Sequence, residues 1–133
     1  MKRIDYWFVL IGACYGTFGM IFGIWMGITQ SLNYINTHAH IGLVGFVIFV
    51  LFGLIYRAWP QLKASRIAMV HFGLANLAAP VFLYGKFNVD SGGSDAIVAT
   101  GSLLVIASML ALLANLALAG RESTIAPFAA PAE

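Results

Sequence analysis

Apolar residues gather in four stretches, at 6–28, 38–58, 67–86 and 96–119. Short polar connections separate them: "TQSLNYINT", "WPQLKASR" and "KFNVDSGGSD". A helix of roughly 20 apolar residues crosses the hydrocarbon core of a bilayer. The pattern therefore predicts an all-α integral membrane four-helix bundle, one domain over residues 1–133, with its outer faces in the lipid bilayer. The Pro/Ala-rich segment 121–133, "RESTIAPFAAPAE", reads as a loose tail. The opening "MKRIDYWFVLIGAC" has the flavour of a secretory segment, and "IGAC" loosely resembles a lipoprotein cleavage box. The apolar run continues past Cys14 through "YGTFGMIFGIWMGI", so the stretch reads as a span.

Composition agrees. Hydrophobic residues make up 61% of the chain and charged residues 9%, against about 25% charged in soluble domains. Cys14 is the only cysteine, which removes any disulfide framework. A formal net charge of +2, with no phosphate loop or basic-aromatic surface, gives no case for nucleic acid. The basic residues do carry topological information, because cytoplasmic connections are enriched in Lys and Arg. Lys2 and Arg3 precede the first span, Arg57, Lys63 and Arg66 flank the second connection, and Arg121 follows the fourth span. The first connection has no Lys or Arg, and the third has Lys86 beside Asp90 and Asp95. Both termini and the middle connection are thus expected in the cytoplasm, as for a bacterial inner-membrane protein.

Small residues punctuate the first span. Gly12, Gly16, Gly19, Gly23 and Gly27 recur every three or four positions, which sets them on one helical stripe. Such stripes let helix backbones approach in lipid. The same stripe offers a shallow groove for a flat ligand such as a porphyrin. Gly42, Gly45 and Gly53 permit the same approach on the second span. Pro80 is expected to kink the third span, and Asn76 and Asn115 to bond across helices or to freed backbone.

The chemistry concentrates in "NTHAHIGLVGF", where His38 and His40 stand at the mouth of the second span. Successive helical residues turn by about 100°, so two helical imidazoles at i and i+2 face nearly opposite sides. They cannot share one metal from a regular helix, whereas an extended His38–His40 segment could chelate one. His71 lies near the start of the third span. Helical rise puts it on the order of 18 Å from His40 along the bundle axis, too far to clamp one iron between them. Intramembrane ionisable groups are functional by default, which makes His40 the first candidate ligand. Its second ring nitrogen would need an acceptor, for which Thr37 and the Asn36 carbonyl are nearest. Met26 is the nearest soft second ligand within the chain. Otherwise the second ligand must come from another copy, which implies a homo-oligomer, or from a partner protein. Lys86, with Tyr84, Tyr34, Asn33 and Trp25, could hold the acidic groups of a haem. His38 as a wet interfacial residue, His71 as a hydrogen-bonded helix histidine and Lys86 as a snorkelling anchor are the plainer readings.

The run "THAHIGLVGFVIFVLFGLIYRAWPQL", followed by "AMVHFGLANLAAPVFLYG", resembles subunit I of haem-copper oxidases and nitric oxide reductases. It is more similar to the short four-span bacterial proteins grouped with them. The resemblance covers about residues 36–87 and implies a haem b with His40, or less securely His38, as axial ligand. It further implies that a four-span chain resembles one arc of the larger catalytic subunit. The family's reaction needs a second haem and a histidine-bound copper, more than the three histidines here supply. Oxygen or nitric oxide reduction by one chain is disfavoured on that count. Three expectations result: a haem-b protein for electron transfer or for haem or gas sensing; a cofactor-free subunit or assembly factor of a respiratory oxidase; and a copper site of His38, His40 and Met26, since imidazole and thioether suit copper.

Overall fold

A computed structural model describes residues 3–125, with side chains through Gly120. Its helices are α1 (Ile4–Thr29), α2 (Leu32–Ala58), α3 (Arg66–Asp90) and α4 (Ala96–Ile125), and no strand occurs among the described residues. All four helices are long and apolar enough to cross a membrane. They match the four expected spans, with three shifts in boundary. α2 begins several residues before the expected position 38, and α3 continues to Asp90, beyond the expected 86. α4 continues to Ile125, into the segment read as a tail. Residues 126–133 lie outside the described residues.

Local chemistry sets the ends. α1 stops at Gln30, which takes a left-handed conformation (φ 55°) and donates its N–H to the Met26 carbonyl, a common helix stop. α2 stops at Trp59, which leaves the helical region (φ −119°, ψ 78°) before Pro60, because proline disfavours that region for the residue before it. The Ser65 hydroxyl accepts the Ile67 N–H at 3.1 Å and caps α3. Gly92, at φ 85°, turns the chain towards α4, where an L side chain would be strained.

α2 is not one uniform helix. It opens as a 3₁₀ turn, Leu32–Tyr34, becomes α-helical over Ile35–His40, widens to a π-helix over Ile41–Val47 and returns to α over Ile48–Ala58. A π segment takes up about one extra residue per turn and so re-aims the side chains beyond it.

The bundle pairs α1 with α2 and α3 with α4. The α1 glycines are used inside the chain. A Cβ at Gly12 would stand 3.0 Å from Val50 and 3.2 Å from the Phe46 carbonyl. One at Gly16 would stand 3.0 Å from the Phe46 ring, and one at Gly19 3.1 Å from Ile41. Gly12, Gly16, Gly19 and Gly23 of the stripe therefore lie in the α1–α2 seam, while a Cβ at Gly27 would meet nothing within 4 Å. Gly101 plays the same part between α3 and α4, where a Cβ would lie 2.5 Å from the Phe82 Cα.

The aromatic core sits at the end where α1 starts and α2 finishes. Phe8 is fully buried, and its ring meets those of Phe49, Phe52, Tyr56, His71 and Phe72 at centroid distances of 5.0–5.9 Å. Asp5 is buried beside it and pairs with Lys63 at 3.1 Å and Arg57 at 3.5 Å. The opposite end is tied by polar groups. The Asp90 carboxylate accepts from the Thr37 N–H at 2.9 Å and hydroxyl at 2.6 Å. Asn33 donates to the Asp90 carbonyl, and the Tyr34 ring stacks on Phe87.

Candidate functional site

Because α2 is helical from Ile35, His38 and His40 both sit on regular helix. They meet different neighbours, as their spacing requires. His38 turns to α1, where it takes the room left by Gly23. A Cβ on Gly23 would stand 2.8 Å from its Cε1. His40 turns to α3 and lies 5.4 Å from the Phe82 ring centre.

An apolar groove runs between α1 and α2 on the His38 side, with a volume near 760 Å³. That volume lies in the range of about 300–1,000 Å³ typical of small-molecule and cofactor sites. Gly16, Gly19 and Gly42 keep the groove shallow and wide, and Phe46 and Val47 form its far wall. The π segment shapes it: Gly42, Leu43, Phe46 and Val47 face the groove, while Ile41 and Gly45 face α1. Gly42 has open space where a side chain would stand. His38 contributes the imidazole, and its Nδ1 is buried with no hydrogen-bond partner. A buried unpartnered ring nitrogen is costly, and this one is covered by α1 at Gly23 rather than open to the groove.

His40 has a different character. Its Nδ1 lies 2.7 Å from the Asn36 carbonyl. A carbonyl can only accept, so Nδ1 carries the proton and Nε2 keeps its lone pair. This is the arrangement that ligating imidazoles use. Of the two acceptors expected from sequence, Asn36 fills the role, while the Thr37 side chain donates to Asp90.

The remaining expected site residues are elsewhere. Lys86 pairs with Asp90 at 3.6 Å. Asn33 and Tyr34 are bound to Asp90 and Ser91. These groups cluster around the end of α3, and none of them lines the α1–α2 groove. Met26 is buried, 5% exposed, and is likewise outside the groove lining. The methionine that does line it is Met20. The sequence carried a signal for this, since Ala13, Gly16, Thr17 and Met20 share one helical stripe. Among the described residues, no group of three or more His, Cys, Asp and Glu side chains gathers as a metal donor set.

His71 is wholly buried at the aromatic end. His40 packs on Phe82, eleven residues further along α3 than His71, or about 16 Å at the helical rise. That agrees with the axial gap expected from the sequence. The Tyr56 hydroxyl lies 3.0 Å from His71 Nδ1. Asn115 donates through Nδ2 to the Leu62 carbonyl at 3.2 Å and to the Tyr56 oxygen at 3.5 Å. Tyr56 accepts from Asn115, and its one proton can be donated to His71 Nδ1. In that arrangement His71 carries its proton on Nε2, which is buried without a partner. The T-shaped contact with Phe52, at 4.5 Å and 80°, fills the surroundings. Sequence spacing gave no hint of the Tyr56–His71 pair, because the two residues come from different helices.

Comparison with known proteins found no matching family model, no similar curated protein and no similar solved structure.

Proposed function

We propose that this multi-pass membrane protein binds haem b in the α1–α2 groove and serves electron transfer or haem or gas sensing. The observation that carries the reading is the apolar groove of about 760 Å³ with His38 in its lining. Gly42 leaves open space beside a flat apolar macrocycle, while Gly16 and Gly19 are closed against Phe46 and Ile41. His38 would supply the ligating imidazole, with Phe46 and Val47 lining the groove beside it. In this reading the groove ligand is His38, and the first position given to His40 on sequence grounds moves to its neighbour. His40, with its lone pair held free on Nε2, becomes the candidate for a contact on the α3 side, including one with a second copy in an oligomer. When bound, the haem supplies one-electron exchange, with axial ligand and burial setting its potential. The distribution of Lys and Arg supports both termini in the cytoplasm of a bacterial inner membrane, with the groove histidine near the outer face. Partnership with respiratory oxidase subunits belongs to the same proposal. The copper reading loses support, because His38 and His40 turn to different helices.

The test is a dithionite-reduced minus oxidised absorption spectrum of the purified chain from haem-replete cells. A haem-b signal is expected in the wild type and in His40→Ala. It should be lost in His38→Ala and in Gly42→Leu, whose new side chain fills the groove. A colourless wild-type preparation overturns the proposal, and one with stoichiometric copper points to the third expectation instead.

A further inference from the structure

The hydroxyls of these helices share a habit. Thr17, Thr29, Thr100 and Ser102 each donate to the carbonyl four residues back, at 2.8–3.0 Å. Ser108 does not. It is 3% exposed, and its Oγ is buried without a hydrogen-bond partner. It lines a cavity of about 20 Å³ between α2, α3 and α4, whose other lining side chains are apolar. Val44, Ala78 and Ser108, one from each helix, stand at or near the midpoints of their spans. The cavity therefore sits at mid-membrane.

A second polar group is orphaned beside it. The Ile48 N–H donates to the Leu43 carbonyl, five residues back, at the end of the π segment. From Ile48 the helix is α again, with each donor reaching four residues back. This change of ladder passes over one carbonyl, that of Val44. A helical carbonyl points along the axis towards the residue four ahead. The Val44 oxygen thus lies between Val44 and Ile48, and both line the cavity. A buried carbonyl without a donor is costly, and lipid offers it none. About 10–15 Å³ is room for one water, which needs two or more polar partners.

We propose that one buried water occupies this cavity, accepting from the Ser108 hydroxyl and donating to the Val44 carbonyl. It pins the π segment of α2 to α4. The opposite face of that segment forms the groove wall, so the water holds the wall in place from behind. The inference is independent of the haem reading.

The test is NMR of the full chain in micelles. Valine labelled with ¹³C at the carbonyl, together with ¹⁵N-glycine, isolates Val44–Gly45, the one Val–Gly step in the sequence. Water-selective ROE spectra report on the methyl groups of Val44, Ala78 and Val105. The lipid-facing Leu103 methyls, 68% exposed, control for water within the micelle. The wild type should show a water ROE to the cavity methyls and none to Leu103. Ser108→Ala removes the hydroxyl, and Val105→Ile fills the cavity while keeping it. Both should lose the ROE, and the Val44 carbonyl shift should move upfield as its donor goes. A wild type without the ROE overturns the proposal, since Ser108 then turns to its own helix. An ROE that survives in Ser108→Ala overturns it as well. So does a lost ROE with an unmoved Val44 shift, which would take the water off that carbonyl.

Discussion

Tyr56 shows how much one side chain can organise. Its hydroxyl is the middle link of the chain from Asn115 to His71, at the closed end of the bundle. Removing it leaves the buried Nδ1 of His71 without a donor. Hydrogen bonds between membrane helices average about 0.6 kcal/mol and reach about 1.7. Tyr56→Phe is therefore expected to lower stability by about 1–2 kcal/mol, read as an earlier unfolding midpoint in mixed micelles. Donation from Tyr56 to Nδ1 predicts one tautomer. In a ¹⁵N-histidine spectrum of the wild type, His71 should show a protonated Nε2 and an unprotonated Nδ1. The reverse assignment would mean that Tyr56 accepts from His71.

At the scale of the element, α2 does three jobs with one stretch of chain. Its 3₁₀ start and first α turn carry the polar ties to Asp90, its π segment builds the groove wall, and its final α segment enters the aromatic core. Its glycines divide accordingly. Gly53 lies against α1, where a Cβ would stand 2.5 Å from Val9 and 2.8 Å from the Asp5 carbonyl. Gly42 faces open space. Gly53→Ala should push the two helices apart and destabilise the fold. Gly42→Ala should be neutral or gain about 0.5–1 kcal/mol, the usual advantage of alanine over glycine inside a helix. Thermal unfolding of the two variants side by side checks the pair. Equal losses at both positions would show that Gly42 is also packed.

At the scale of the whole molecule, the two ends of the bundle are held by different forces. One end is packed aromatic side chains around Phe8, with dispersion as the main attraction in lipid. The other is a set of charge-assisted hydrogen bonds on Asp90. Phe8→Ala should remove contacts among α1, α2 and α3 together and cost about 3–5 kcal/mol. Asp90→Ala should cost about 1–3 kcal/mol and act locally. Hydrogen exchange should then rise at Tyr34–His38 while the aromatic end stays protected. Uniform loss of protection in Asp90→Ala would show that the ends unfold as one unit.

The sequence by itself determined the four helices and their connections, because apolar length and polar breaks are local properties that lipid reads directly. It also determined that His38 and His40 diverge and that His71 lies far from both, since helical rise and twist are fixed by backbone geometry. Helix pairing, and with it the site, was decided by tertiary structure. The α1 glycine stripe gave no sign of which helix would fill it. The π segment shifts the phase that a regular helix would impose on residues 41–47. That His38 faces a groove while His40 meets α3, that Met20 lines it while Met26 is buried, and that Tyr56 finds His71 all depend on contacts between helices. Those contacts come from shape and close approach across the bundle, which no spacing along a single helix encodes.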